Sequence, residues 1–241
     1  MTLSTAILAG GLATRIRPIT ERIPKAMIEV SGRPFIDYQL ELLKRQGVAD
    51  VVLCLGYEGR QIEDHVGDGK AFGLRVRYSY DGPTLLGTGG ALRQALGLLG
   101  DPFFVTYGDA YLRADYRAIA AAFLTRRTGA EPPLALMTVF HNRNEGDRSN
   151  TIFRDGEIVL YDKTRVLPEM EHIDWGLGVL THAAFDRAPS AGPFDLATLY
   201  TALVGDRRMM GYEVTERFYE IGSFAGIDTF KSVAARLTDQ S

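Results

Sequence analysis

Short apolar runs and helix-period stretches alternate along the N-terminal half of this chain, and that alternation restricts the fold more than any other feature. Thr5–Leu8 predicts a buried strand. A helix follows Pro34, with Phe35, Ile36, Leu40 and Leu43 on one face and Gly47 as its stop. Val51–Leu55 predicts a second buried strand and Gln61–Val66 a short helix. Arg75, Arg77 and Ser79 alternate with Leu74, Val76 and Tyr78, the period of a half-exposed strand. Ala91, Leu92, Ala95, Leu96 and Leu99 return to helical spacing, and Phe103–Val105 is another apolar strand, leading into Tyr107-Gly108-Asp109. Such a chain order predicts a largely parallel sheet covered by helices on both faces.

The later portion is richer in strands. Leu134–Phe140 predicts one, and the segments 150–153 and 157–161 flank Asp155-Gly156, a strong two-residue hairpin signal. Leu177–Leu180 and Gly211–Thr215 add two more. Asp195 is expected to cap a helix carrying Leu196, Leu199, Tyr200 and Leu203, and Asp228 one carrying Phe230, Val233 and Leu237. No internal repeat, low-complexity tract or long linker is visible. The expectation is a single α/β domain spanning 1–241.

Composition excludes several classes. The 27 basic and 30 acidic residues give a formal charge of −3, whereas nucleic-acid-gripping domains usually carry a basic excess. No apolar run approaches the roughly 20 residues that cross a bilayer. The opening Met1–Thr5 lacks a basic region followed by an apolar stretch, so no secretory signal is expected. The lone Cys54 cannot form an internal disulfide, and His65, His141, His172 and His182 show no ligand spacing in sequence. Cys54 and His65 are read as structural. Nucleic acid and membrane are not expected partners, and the location expected is cytoplasmic.

The first strand runs directly into Ala9-Gly10-Gly11-Leu12-Ala13-Thr14-Arg15, a turn able to present backbone amides to an anion. The dinucleotide fingerprint would need a glycine at position 14, which is threonine, and no Gly-Lys-Ser/Thr of the Walker type is present. Pro18 and Pro24 prevent an immediate helix. Positive charge must then come from side chains, and Arg15, Arg17, Arg22 and Lys25 lie within eleven positions. Arg17 and Arg22 are read as surface or structural.

The run Leu8–Pro18 followed by Ile23-Pro24-Lys25-Ala26-Met27 resembles the signature of the sugar-1-phosphate nucleotidylyltransferases. The resemblance continues, in order, through Gly32-Arg33-Pro34-Phe35-Ile36, Leu86-Gly87-Thr88-Gly89-Gly90-Ala91, Gly108-Asp109 and Glu220-Ile221-Gly222-Ser223. It is nearest the short members, among them heptose-1-phosphate guanylyltransferases and muramate-1-phosphate uridylyltransferases. Ala13 stands where the family loop usually has glycine, and a positive φ there would cost alanine roughly 1 kcal/mol or more. Glu220 and Ser223 stand where the family usually has aspartate and threonine.

The resemblance implies a Rossmann-like (GT-A-like) fold with a mixed, mostly parallel sheet. Residues 1–115 would serve mainly the nucleotide and 134–225 mainly the sugar phosphate. It implies transfer of a nucleotidyl group from a nucleoside triphosphate to a sugar-1-phosphate, with heptose 1-phosphate guanylyl transfer as the specific expectation. Arg15, Lys25 and Asp109 would be catalytic, and Asp109 and Glu220 would hold Mg²⁺. Leu8, Gly10, Gly11, Thr14, Arg15, Gly87, Thr88 and Gly89 would bind the nucleotide. Lys163, Asn150, Asp174 and Gly176 would face the sugar phosphate. A homodimer is compatible with this reading. Trp175 either stacks on the ligand or fills the interior. Trp175 with Glu169, Glu171 and Asp174 keeps open an amine cage, hence a phosphocholine or aminophosphonate cytidylyltransferase. Ala13 and Glu220 keep open a non-catalytic nucleotide-binding subunit.

Overall fold

The computed structural model describes residues 2–12, 16–142, 144 and 147–238. Ala13, Thr14 and Arg15 of the first loop therefore lie outside the described residues. The strands are β1 (Ser4–Leu8), β2 (Glu29–Val30), β3 (Arg33–Pro34), β4 (Asp50–Leu55), β5 (Arg75–Tyr80), β6 (Phe103–Tyr107) and β7 (Ala110–Tyr111). They continue with β8 (Ala135–His141), β9 (Thr151–Arg154), β10 (Glu157–Tyr161), β11 (His172–Leu180), β12 (Met209–Val214) and β13 (Tyr219–Glu220). The helices are α1 (Phe35–Arg45), α2 (Gly59–Val66), α3 (Gly87–Ala95), α4 (Tyr116–Arg126), α5 (Leu196–Gly205) and α6 (Phe224–Thr238).

Nine strands form one sheet in the order β5-β4-β1-β6-β11-β8-β12-β10-β9. β5, β4, β1 and β6 pair in parallel, as do β8 and β12. β11 runs antiparallel between β6 and β8, and β10 antiparallel between β12 and β9. The sheet is thus mixed, and every strand except β10 and β11 points the same way. That common direction gathers the ends of β1, β4 and β6 on one rim, where open α/β sheets bind ligands.

Apolar side chains of alternate parity cover the two faces. Ala91, Leu92 and Ala95 of α3 and Leu196, Leu199 and Leu203 of α5 bury one face against Ala6, Val52, Val105 and Met137. Ile36, Leu40 and Leu43 of α1, Ile62 of α2 and Ile119 and Phe123 of α4 bury the other against Ile7, Leu53, Phe104 and Val179. α6 is held separately. Its Phe230 is fully buried, with ring centroids 5.0 Å from Phe35, 5.5 Å from Tyr38 and 5.0 Å from Tyr111.

Local chemistry explains the turns. Asp155 and Gly156 have φ of 52° and 81°, the two positive values a two-residue hairpin of this hand needs. Asp195 caps α5 by accepting from the Ala197 N–H at 2.7 Å. Asp228 is not the start of the last helix: α6 begins four residues earlier. Ser223 Oγ accepts there from the Gly226 N–H at 3.0 Å, and Asp228 pairs along the helix with Lys231 at 2.8 Å. β11 begins at His172 rather than 177, because a register break between Asp174 and Gly178 interrupts its alternation. α4, capped by Asp115, was not expected from its alanine-rich run.

Phe230→Ala should destabilise the protein by about 3–5 kcal/mol, the usual cost of emptying a buried aromatic site. Urea unfolding measures this, and a loss well under 1 kcal/mol would contradict the packing of α6 described here.

Candidate active site

The tips of β1, β4 and β6 approach so closely that side chains are excluded between them. A Cβ on Gly56 would lie 2.7 Å from the Gly10 carbonyl oxygen, and one on Gly108 would lie 2.9 Å from the Ala9 Cβ. The Ala9 N–H donates to the Cys54 carbonyl and the Gly108 N–H to the Leu8 carbonyl, each at 2.9 Å. These tips floor a cavity of about 240 Å³ lined by Leu8, Gly10, Gly11, Lys25, Asp81, Gly87, Thr88, Tyr107 and Asp109, among others.

Lys25 and Asp109, 84 positions apart, meet at its edge: Lys25 Nζ is 2.8 Å from Asp109 Oδ2, and both side chains are partly buried. Lys25 is delivered by a single 3-10 turn after Pro24, and Asp109 follows the end of β6. Gln39 of α1 holds the aspartate turn from behind. Its Nε2 donates to the Tyr107 and Ala110 carbonyls at 2.8 and 3.0 Å. Nothing in the sequence marked Gln39, because a lone glutamine on a helix carries no motif.

Glu220 is brought beside Asp109 through the backbone. β13 pairs with β7, placing Glu220 opposite Ala110, and the Ile221 N–H donates to the Asp109 carbonyl at 3.0 Å. The Glu220 carboxylate turns the other way. It accepts from the Gly222 N–H and from Ser223 Oγ, the latter at 2.7 Å, and does not line the cavity. Glu220 thus holds Ser223, whose Oγ accepts from the Gly226 N–H in the first turn of α6.

Gly87 has a φ of 72° and lines the cavity with Thr88. Thr88 Oγ1 accepts from the Leu196 N–H at 2.7 Å, so its hydroxyl helps to start α5. Gly89 packs closely on Phe194: its N–H donates to the Phe194 carbonyl, and a Cβ would lie 2.2 Å from the Phe194 ring. Cys54 lines the cavity too, and burial pushes its thiol up to about 12, so it stays neutral. Arg17 and Arg22 are exposed and line no part of the cavity.

Asn150, Asp174 and Gly176 form a second cluster, and a Cβ on Gly176 would lie 3.7 Å from the ring of Tyr107, which lines the cavity. Asn150 Oδ1 accepts from the Asp174 N–H, and the Asn150 N–H donates to the His172 carbonyl, both at 2.9 Å. Gly176, with a φ of 95°, donates its N–H to Asp174 Oδ1 at 3.0 Å within the irregular part of β11. Lys163 Nζ is 3.8 Å from Asp195 Oδ1, at the start of α5. Trp175 is buried in the interior and donates its indole N–H to the Glu216 carbonyl at 2.7 Å, so it fills the core and forms no wall of an amine cage.

A family model described as nucleotidyl transferase covers residues 4–145. An N-acetylmuramate alpha-1-phosphate uridylyltransferase of Neisseria meningitidis is 30% identical over 96% of this chain and 98% of its own length. The chain belongs to the nucleotidyl transferase family, among its sugar-1-phosphate nucleotidylyltransferases. This nucleotidyltransferase is also 29% identical to a D-glycero-alpha-D-manno-heptose 1-phosphate guanylyltransferase of Campylobacter jejuni, over 76% of this chain and 78% of that one. Its fold matches that of HddC from Yersinia pseudotuberculosis complexed with GMP-PN, with a TM-score of 0.77 at 24% identity over 95% of this chain and 98% of that one.

Burial pushes the Asp174 carboxyl of the nucleotidyltransferase upward, and the Gly176 N–H, Lys163 and the Tyr161 hydroxyl oppose this without cancelling it. A carboxyl raised in the folded state keeps its proton where the unfolded chain has lost it. Its contribution to stability is therefore present at low pH and is lost as pH rises through the folded value. Asp174→Asn, which cannot ionise, should gain stability relative to the parent as pH rises from about 4, the ordinary carboxyl range. Urea midpoints across pH test this, and a gap that is constant or opposite in sign would contradict it.

Proposed function

We propose that the enzyme transfers a nucleotidyl group from a nucleoside triphosphate to a sugar-1-phosphate, with Mg²⁺ as its metal. A sugar-phosphate oxygen attacks the α-phosphorus, the α–β bridging bond breaks, and pyrophosphate leaves. The nucleophile is already an anion, so no general base is needed. Catalysis then rests on neutralising charge and aligning the two phosphates. The Lys25–Asp109 pair at the strand tips carries this reading, because it sets a cation and a hard oxygen donor at one edge of the cavity.

Asp109 suits Mg²⁺, which takes one or two carboxylates together with phosphate oxygens and water. Glu220 would join it only by releasing the Gly222 N–H and the Ser223 hydroxyl. Bound there, the metal would neutralise phosphate charge. Lys25, released from Asp109, would move onto the oxygens of the reacting phosphorus. Arg15 is assigned to the β- and γ-phosphates by the family resemblance, for which a planar guanidinium is suited. Thr14 and the amides around Gly10 and Gly11 would cradle the triphosphate, while Leu8, Gly87 and Thr88 would line the base and ribose. In this division residues 1–115 serve mainly the nucleotide and 134–225 the sugar phosphate, with Asn150, Asp174, Gly176 and Lys163 on the sugar side.

For the base and sugar we favour guanylyl transfer to a heptose 1-phosphate. Asp81 lines the cavity near Gly87, and its Oδ2 accepts from the Leu86 N–H at 3.0 Å. A second carboxylate oxygen there suits a base rich in N–H donors, and guanine offers two adjacent ones. Uridylyl transfer to N-acetylmuramate 1-phosphate is the second reading, supported by the near full-length uridylyltransferase relative.

Pyrophosphate release from four triphosphates against hexose, heptose and muramate 1-phosphates tests both levels. The parent should be most active with GTP and heptose 1-phosphate. Asp109→Ala should lose activity by a factor on the order of 10²–10³ or more, the scale of removing one stabilising group from a polar transition state. Undiminished turnover by a folded Asp109→Ala protein would overturn the metal role.

A further inference from the structure

His141, His172 and Glu213 stand on three neighbouring strands and on one face of the sheet. His172 of β11 is the register partner of His141 of β8. Glu213 of β12 lies opposite Val139, two residues before His141 on the same face of β8. Their donor atoms all lie within 4.8 Å of one another. His172 Nε2 is 3.3 Å from Glu213 Oε1. That matches the roughly 3.3 Å between two ligands on a tetrahedral ion with bonds of about 2.0–2.1 Å. A fourth donor is close: Glu171 Oε2 is 3.6 Å from His141 Nε2.

The reaction proposed above has no use for these groups, and none of the four lines the cavity at the strand tips. Their placement is also specific. The imidazoles stack with centroids 4.8 Å apart at 16°, and the Phe153 ring, 5.2 Å away, supports His172 from the side. His172 is largely covered, whereas His141, Glu213 and Glu171 remain open enough for an ion to reach them. His141 is the more exposed of the two rings.

We propose that His141, His172 and Glu213 bind a divalent transition-metal ion of the Zn²⁺ class, with Glu171 in reach as a fourth ligand. Two imidazoles with carboxylate suit Zn²⁺ and its neighbours, whereas Mg²⁺ prefers an all-oxygen shell. The ion would tie β8, β11 and β12 together across the sheet. Its binding should be independent of catalysis.

The test uses untagged, chelator-stripped full-length protein in excess Mg²⁺, which occupies the proposed catalytic site, titrated with Zn²⁺ alone. Calorimetry should give one Zn²⁺ per chain, and the thermal midpoint should rise by roughly 5–10 °C at 100-fold excess over Kd. Co²⁺ in place of Zn²⁺ should give the visible bands of a nitrogen-ligated tetrahedral site. His172→Ala or Glu213→Gln should weaken binding by at least the roughly tenfold that even an outer-shell change costs. The double variant His141→Phe/His172→Phe keeps two stacked rings without donors, so it should fold and lose the Zn²⁺ shift. The proposal is overturned if the parent shows no Zn²⁺ binding. It is equally overturned if the double Phe variant retains the shift while Asp109→Ala abolishes it.

Discussion

A lysine ammonium held 2.8 Å from an aspartate at the rim of a mixed sheet is the contact on which the rest of the site depends. Neither partner is a neighbour of the other in sequence, and each is only partly covered. Were either alone at this edge, a half-buried charge would lack compensation, a costly state. Paired, they set a cation and an anion at the edge of the cavity, where the proposed reaction would bring phosphate charge. In the proposed reaction a triphosphate and a divalent ion would replace that bond, one on each side.

The surrounding structure exists largely to hold that edge in place. Glycines at 10, 56 and 108 let three strand tips meet backbone to backbone. Gln39 fixes the Tyr107–Ala110 turn from the helix behind it, and β7–β13 pairing fastens the C-terminal segment to the residue after Asp109. The Phe230 cluster anchors α6 to α1, so the segment 219–223 is held at both ends. The Glu220 carboxylate accepts from the Gly222 N–H and the Ser223 hydroxyl, and Ser223 Oγ in turn accepts from the Gly226 N–H at the start of α6.

Much of this was legible in the sequence. Thr5–Leu8, Val51–Leu55 and Phe103–Val105 read as buried strands because they are apolar on both faces, as central parallel strands must be. Asp155-Gly156 and Asp195 announced themselves through turn and cap chemistry. Lys25 and Asp109 were legible as candidates from the motifs that contain them, and the structure brings the two together. What escaped notice depends on contacts distant in sequence. Asp228 looked like a cap until Ser223 supplied one earlier. Gly89 looked like a ligand-facing glycine, yet the Phe194 ring is what excludes a side chain there. Trp175 could be resolved as interior only once its indole N–H was seen to reach Glu216. His141, His172 and Glu213 carry no ligand spacing along the chain and converge only through strand register.

In the proposed reaction the Lys25–Asp109 contact opens to receive a metal–triphosphate complex. A crystal grown with Mn²⁺ and a non-hydrolysable nucleoside triphosphate tests it through the anomalous signal of the ion. The account predicts a peak bound to the Asp109 carboxylate and to phosphate oxygens, with Lys25 Nζ moved from Asp109 onto the nucleotide. An intact Lys25–Asp109 contact, with nucleotide and ion bound elsewhere, would contradict it.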